Sequence, residues 1–283
     1  MEEEKKVIVL PASQMQKAIG LKGKFGLWVA ERILKILDID RVNDIQSRYP
    51  EQKGPEFAET VLREVGVKYH IPEEDFARIP AEGGFITVSN HHYGSIDGLI
   101  LNAAVGARRP DYKLLTTFLL ALIPGLKDGF LPVDNLSGGK ADSRSVNGIR
   151  MALRHIADGG AIGFFPAGEV ATWQRRKNRR DGGLWTIQDR PWAPNIVKLI
   201  KRSNLPVIPI WFDGCNSRTF HILGLIHPRL RTVRLIHEMF NKEGRTVEVR
   251  IGEPILPAEM AAMEVEDLAW YLRGKCYALS NRK

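Results

Sequence analysis

A histidine and an aspartate five positions apart, His92 and Asp97, stand directly after a stretch that predicts a strand, Phe85–Ser89. Across a strand-to-helix turn, the carboxylate can accept a hydrogen bond from the histidine Nδ1–H, which leaves Nε2 free to take a proton. A histidine, with an ordinary pKa near ~6.5, suits general-base catalysis at neutral pH. Two other interpretations stay open. Asp97 could simply cap the following helix, or it could bind a metal ion with His91 or His92, although no third ligand is evident.

A second segment that could do chemistry, Phe164–Glu169, begins at the end of the predicted strand Ala161–Phe165. A strand that breaks at Pro166-Ala167-Gly168 exposes backbone amides, and such a turn can bind an oxyanion or a phosphate. In open α/β sheets, ligands bind outside the carboxyl ends of strands, which is where both segments fall. Taken alone, this segment is better interpreted as a plain turn that ends the strand.

The elements that must position these segments alternate between strands and helices from about residue 61 onward. The predicted strands are Phe85–Ser89, Tyr112–Thr117, Phe130–Val133, Ala161–Phe165, Val207–Phe212 and Thr246–Ile251. The predicted helices are Ser95–Val105, Leu114–Leu126, Arg144–Ala157, Asn195–Ser203 and Val265–Leu279. Pro132 places its strand at a sheet edge or a strand end. This alternation indicates an α/β fold with a mostly parallel central sheet flanked by helices on both faces.

The first 60 residues differ in pattern, so we predict an N-terminal helical segment (1–60) before one domain (61–283). A helix is predicted over Leu21–Ile45, with Trp28 on a broad apolar face and Lys22 and Lys24 before it. These features suit a helix lying in a membrane interface. An amphipathic helix packed on the protein's own core would have the same pattern.

Charge and composition limit the partners and the compartment. Lys and Arg outnumber Asp and Glu by 41 to 33, a formal net charge of +8, which suits nucleic acid, acidic lipid head groups or an acidic carrier protein. A solvated surface with excess lysine is the simpler interpretation. The two cysteines form no disulfide framework, which fits a reducing compartment. We find neither a signal peptide nor an apolar run long enough to span a bilayer, which favours a cytosolic protein or one attached to a membrane surface.

Four sequence blocks, taken in order, resemble those of the glycerolipid acyltransferases. They are the His92-x4-Asp97 spacing, the Gly129–Asn135 block, the Phe165-Pro166-x-Gly168 turn and the Leu205–Ile210 strand. The resemblance implies that His92 removes the proton of an acceptor hydroxyl and that Asp97 orients it. The hydroxyl would attack the thioester of acyl carrier protein or coenzyme A directly, with neither an acyl-enzyme nor a cofactor.

The chain departs from the family pattern where phosphate is bound. Asn135 and Val170 stand where the phosphate-handling members carry arginine, and an asparagine or a valine cannot replace a bidentate guanidinium. The variant third block resembles the bacterial hemolysin-like branch, which includes O-acyltransferases that complete ornithine and glycine lipids. That branch implies an acceptor with a secondary hydroxyl near a free carboxylate. The candidate substrate-binding residues are Asn135, Phe165, Pro166, Ala167, Gly168, Glu169, Arg175 and Arg176.

Three interpretations remain open for Arg175 and Arg176 and their basic neighbours: holding the carboxylate, docking an acidic carrier protein, or forming a solvated loop. The partners expected are acyl carrier protein, a lyso-lipid and a membrane surface, with no nucleic acid, because no binding module is recognised. The expected location is peripheral, at the cytoplasmic face of the bacterial inner membrane. The alternatives are a lysophosphatidate acyltransferase with the same fold, and a membrane-binding or lytic protein without catalysis.

Overall fold

The computed structural model describes residues 11–13, 16, 21–36, 38–117, 123–133, 143–175, 185–226, 231 and 234–281. A seven-stranded sheet has the order β1-β9-β8-β2-β5-β3-β4. The strands of this sheet are β1 (Lys68–His70), β2 (Ile86–Ser89), β3 (Lys113–Thr117), β4 (Phe130–Val133), β5 (Ile162–Phe164), β8 (Val207–Phe212) and β9 (Thr246–Ile251). Neighbouring strands pair parallel except β8 with β9. A separate antiparallel hairpin joins β6 (Thr172–Arg175) to β7 (Trp185–Gln188).

Helices cover both faces of this sheet, as the sequence predicted. They are α1 (Gly23–Ile36), α2 (Ile39–Arg48), α3 (Gly54–Val65), α4 (Glu73–Phe76), α5 (Ser95–Arg108), α6 (Ser143–Ala157), α7 (Pro194–Ser203), α8 (Arg218–Ile226), α9 (Leu235–Phe240), α10 (Pro257–Ala261) and α11 (Val265–Ala278). Within the described residues, none of these helices is long and apolar enough to cross a membrane.

Alternating side chains of β8 supply two separate hydrophobic cores. Ile208, Ile210 and Phe212 belong to the first core, which α3 and α5 cover. Val207 and Trp211 belong to the second core, which α7 and α11 cover. Successive strand residues point to opposite faces, so a continuous apolar run such as this one requires helices on both sides of the sheet. The predicted fold class is confirmed.

The predicted N-terminal helix Leu21–Ile45 is wrong as a single element. It is divided into α1 and α2 at Asp38, which has a left-handed backbone conformation with φ 53°. A short polar residue is among the few that tolerate this conformation. In α2, Val42 and Ile45 join the same core as Phe57 of α3. The predicted boundary at residue 60 stays a prediction. The first core holds side chains from both sides of it.

Of the predicted helix Leu114–Leu126, the first residues belong to β3 instead, and residues 118–122 lie outside the described part of the chain. Leu114 is fully buried between sheet and helices. The predicted edge position of Phe130–Val133 is confirmed, because β4 ends the sheet next to β3.

Candidate active site

The candidate site lies at the carboxyl end of β2, where Asn90 ties two strands together. Its side-chain amide donates to the carbonyl of Phe212 (2.8 Å) and accepts from the Phe212 N–H (2.8 Å). Both bonds are buried, so the end of β2 is fixed against the end of β8. The next residues, His91 and His92, therefore leave a rigid part of the sheet.

Asp97 lies in the first turn of α5 and folds back over the turn that joins β2 to this helix. One oxygen, Oδ2, accepts the N–H groups of Tyr93 (2.9 Å) and Gly94 (3.0 Å) and lies 3.0 Å from Nδ1 of His91. The carboxylate thus caps the helix and contacts an imidazole at once. Gly94 makes the turn possible: its φ is 87°, and a Cβ there would lie 2.6 Å from Leu235.

The histidine paired with Asp97 is His91, and the predicted bond from His92 is not formed. An ionised carboxylate only accepts hydrogen bonds, so the bond requires the proton of His91 on Nδ1 and leaves Nε2 with its lone pair. The ring of Phe165 stacks on that of His91 with centroids 3.9 Å apart. The His91 side chain is 16% exposed, so a substrate can reach it.

His92 points to the opposite side, into the second core. It is 4% exposed and packs edge-on against Trp211 (5.0 Å) and Tyr277 (6.4 Å). Within the described ranges, neither ring nitrogen has a hydrogen bond of normal geometry, although the backbone of Gly214 lies close enough to favour the charged ring. Burial lowers the pKa of His92, against the opposing charges of Asp189 and Asp97. This surrounding suits a neutral core histidine.

A second buried carboxylate, Asp189, supports His91 from behind. Its Oδ1 accepts the backbone N–H of His91 (3.1 Å), and its Oδ2 accepts the indole N–H of Trp192 (3.1 Å). Burial raises the pKa of Asp189, while the charge of a protonated His92 would lower it. Asp189 is not among the residues predicted from the sequence. The sequence offered one signal for Asp189, because it stands three positions before the large apolar side chain of Trp192. A carboxylate buried beside such a residue needs hydrogen-bond partners.

The third block reaches His91 through its backbone as well as through Phe165. Ala171 donates its N–H to the carbonyl of His91 (2.7 Å). Gly168, with φ 70°, closes a tight turn by donating to the carbonyl of Phe165 (2.9 Å). The carbonyl of Pro166 accepts the N–H of Ala193 (2.8 Å), and Ala167 packs against the second core. The two predicted segments therefore lie together at the carboxyl ends of the neighbouring strands β2 and β5.

Glu169 ends this turn between two arginines that are not among the predicted site residues. Its Oε1 lies 2.6 Å from Nε of Arg190, and its Oε2 pairs with the guanidinium of Arg231. Asn135 and Arg176 lie outside the described residues, as does the side chain of Arg175. Their predicted roles stay predictions. No group of three His, Cys, Asp or Glu side chains in the described ranges is arranged to hold a metal ion.

Comparisons with known proteins show the family to which the chain belongs. A family model described as "Acyltransferase" matches residues 13–283. A lyso-glycine lipid O-acyltransferase of Bacteroides thetaiotaomicron is 25% identical over 236 residues, which cover 81% of this chain and 80% of that protein. The protein of the same name from Phocaeicola vulgatus is 26% identical over 235 residues, which cover 81% and 78%.

Among solved structures, the 1-acyl-sn-glycerophosphate acyltransferase PlsC of Thermotoga maritima matches with a TM-score of 0.47 and 18% identity, covering 89% of this chain and 95% of that one. The family model spans nearly the whole chain and includes the His91–Asp97 turn, the Phe165–Glu169 turn and both cores. The resemblance predicted from the four sequence blocks is confirmed, and the chain belongs to the glycerolipid acyltransferase family and is an acyltransferase.

Proposed function

We propose that the protein transfers a fatty acyl chain from an acyl carrier protein or coenzyme A thioester to the hydroxyl of a lyso-lipid. The acceptor is a 3-hydroxyacyl amide of an amino acid, of the glycine or ornithine type. The observation that carries the proposal is the pairing of His91 with Asp97, beside a turn that presents Glu169. The two relatives named as lyso-glycine lipid O-acyltransferases support the acceptor class.

In the proposed reaction, Nε2 of His91 takes the proton of the acceptor hydroxyl as its oxygen attacks the thioester carbonyl carbon. Asp97 holds the imidazole through Nδ1 and stabilises the imidazolium that forms. The C–O bond forms and the C–S bond breaks, and the imidazolium returns the proton to the departing sulfur. The products are an ester and a free thiol, so the proton and the electron pairs balance without a cofactor.

The cysteines support direct transfer without an acyl-enzyme. Burial raises the pKa of the Cys276 thiol, which is fully buried and donates to the carbonyl of Ile210 (2.9 Å). Burial also raises the pKa of Cys215. A cysteine nucleophile needs a lowered pKa, and neither thiol has one.

The acceptor class is tested by acyl transfer to a panel of lyso-lipids with both donor types. We expect turnover of 3-hydroxyacyl glycine or 3-hydroxyacyl ornithine at least about tenfold above that of lysophosphatidate, because the family's phosphate-binding arginines are replaced by Asn135 and Val170. Turnover of lysophosphatidate alone would contradict the proposed acceptor and favour the phospholipid alternative. The same panel compares acyl carrier protein with coenzyme A as the donor.

We also propose that α1 attaches the protein to the membrane that holds its acceptor, at the cytoplasmic face of the bacterial inner membrane. Ala30 and Leu34 are buried, whereas Phe25 is 68% and Trp28 52% exposed, and their rings stack at 6.1 Å. The guanidinium of Arg32 lies 5.5 Å from the Trp28 ring centroid. One side of α1 packs on the protein, and the other presents aromatic and basic groups suited to an anionic lipid surface.

Replacing both Phe25 and Trp28 by alanine is expected to weaken binding to anionic vesicles by at least about tenfold. Transferring two partly exposed aromatic side chains into the interface contributes roughly 2 kcal/mol or more. Vesicle sedimentation measures the effect, and Trp270→Ala is the matched control because Trp270 is 62% exposed on a different helix, α11. Unchanged vesicle binding in the double variant would rule out α1 as the attachment surface.

A further inference from the structure

A cavity of ≈ 330 Å³ lies beside the candidate active site and has no role so far. Thr172 lines it, one residue after Ala171, which bonds to the carbonyl of His91. Arg190 also lines it, one residue after Asp189, which accepts the N–H of His91. Two walls of the cavity are therefore continuous with the groups that hold the His91 backbone.

Counting only side chains that the structure describes, the cavity and the carboxylate at its wall carry one net positive charge. Arg190 and Arg231 line it and share the single carboxylate of Glu169. The Arg231 side chain is only 7% exposed and also donates to the carbonyl of Val170 (3.2 Å). Two guanidinium groups against one carboxylate leave one positive charge, which matches a monoanion. A phosphate monoester carries nearly two negative charges at neutral pH.

His221 lines the same cavity, and neither of its ring nitrogens has a hydrogen-bond partner in the part of the chain that the structure describes. It is 3% exposed and stacks on Trp173 with centroids 5.5 Å apart. Burial, reinforced by the charge of Arg231, lowers the pKa of His221 to about 4, so the ring is neutral at pH 7 and offers one N–H donor and one acceptor. A buried polar group without a partner is unfavourable, and a ligand in the cavity would satisfy it.

An apolar ridge adjoins the cavity on α8. Leu225 lines the cavity and is 64% exposed, and Ile222 and Ile226 are exposed beside it at helical spacing. A ligand with a charged group in the cavity could lay its hydrocarbon chains along this ridge. The combination of a singly charged pocket, an unsatisfied imidazole and an apolar exit suits an amphiphile with a small anionic head.

We propose that this cavity binds the free carboxylate of the acceptor's amino-acid head group, with Arg231 and Arg190 as its charge partners and His221 as a hydrogen-bond donor. This assignment rests on the proposed function. It places the carboxylate next to His91, so that the hydroxyl of the same lipid lies within reach of the base. It assigns carboxylate binding to arginines that sequence spacing did not select, and the predicted role of Arg175 and Arg176 stays a prediction.

The test compares two acceptors, 3-hydroxyacyl glycine and its neutral glycinamide analogue, with one thioester donor. For the wild-type enzyme we expect kcat/KM to favour the carboxylate by about tenfold or more, the size expected for a charge-assisted hydrogen bond. In Arg190→Gln and His221→Phe this preference falls towards one, chiefly through KM for the carboxylate acceptor. His221→Phe keeps the stacked ring and removes no hydrogen bond within the protein. The matched control is Arg202→Gln, an exposed arginine on α7, which keeps the wild-type preference.

The outcomes distinguish a failure of the pocket assignment from a failure of the proposed function. If the wild type acylates both acceptors and the variants keep its preference for the carboxylate, the pocket assignment is overturned while the proposed function stands. A wild type that acylates both equally well overturns the pocket assignment too. If the wild type acylates neither acceptor but acylates lysophosphatidate, the proposed function fails and the pocket assignment fails with it.

Discussion

His91→Ala is expected to lower kcat by about 10³-fold while KM for the lyso-lipid changes only a few-fold. Removing a general base typically costs between about 10²-fold and 10⁴-fold in rate. The fold should survive, because Asp189 and Ala171 bond to the backbone of His91 and not to its side chain. Steady-state transfer from acyl carrier protein to a 3-hydroxyacyl amino-acid lipid measures the rate, and thermal unfolding checks the fold.

The same variant separates catalysis from membrane action. Vesicle binding should equal that of the wild type, because α1 and the ridge on α8 are unchanged. A protein whose activity were membrane lysis alone would keep that activity in His91→Ala. Retention of full acyl transfer by a folded His91→Ala protein would contradict the assignment of His91 as the base.

Asp97→Asn is expected to lower kcat by about 10³-fold or more. An asparagine cannot stabilise the imidazolium that forms on His91, and its amide group can favour the tautomer with the proton on the wrong nitrogen. The substitution also removes the negative charge that the Tyr93 and Gly94 N–H groups meet at the start of α5, with a cost in stability of about 1 kcal/mol. That cost lowers the melting temperature but does not account for the loss of rate.

Asp158→Asn is the matched control, because Asp158 is exposed just beyond the end of α6 and lies outside the site. The rates are measured at saturating acceptor and donor, at a temperature where both variants are folded. A folded Asp97→Asn protein with a rate within about tenfold of the wild type would mean that Asp97 serves only as a helix cap. The structure is consistent with a double role, since one oxygen meets all three partners.

Much of the fold could be predicted because local patterns set it. Val207–Phe212 and Thr246–Ile251 were predicted with their observed bounds, the first from a continuous apolar run and the second from strict alternation. The break between α1 and α2 could not be predicted. Asp38 has φ 53° but carries no breaker signal like that of proline or glycine. Its carboxylate lies 2.8 Å from Nδ1 of His237, a contact across 199 positions that sequence patterns do not reveal.

The spacing to Asp97 alone could not decide which of the two adjacent histidines bonds to it. Strand alternation held the missing signal, because Ile86 and Val88 face the second core while Phe85 and Tyr93 face the first. The even-numbered residues of β2 thus belong to the same core as Trp211, and the side chain of His92 points to the same side as theirs. His91 has the opposite parity, which aims it at Asp97 across the turn made by Gly94.

The arginines that pair with Glu169 could not be found from sequence for a different reason. Arg231 lies 62 residues after Glu169 along the chain. The helix α8, which ends shortly before Arg231, packs against β6, which follows Glu169. The dense basic run at Arg175 and Arg176 was the stronger local signal. Sequence proximity to a motif favoured that run, and its side chains lie outside the described residues, whereas Arg190 and Arg231 pair with Glu169.

The most direct test of the central claim measures acyl transfer by His92→Phe beside His91→Ala. Phenylalanine keeps an aromatic ring against Trp211 and Tyr277, and His92 has no hydrogen bond of normal geometry to lose. We predict that His92→Phe keeps its rate within about tenfold of the wild type while His91→Ala loses about 10³-fold. A folded His92→Phe enzyme that loses the larger factor, beside an active His91→Ala enzyme, would contradict the account and identify His92 as the base.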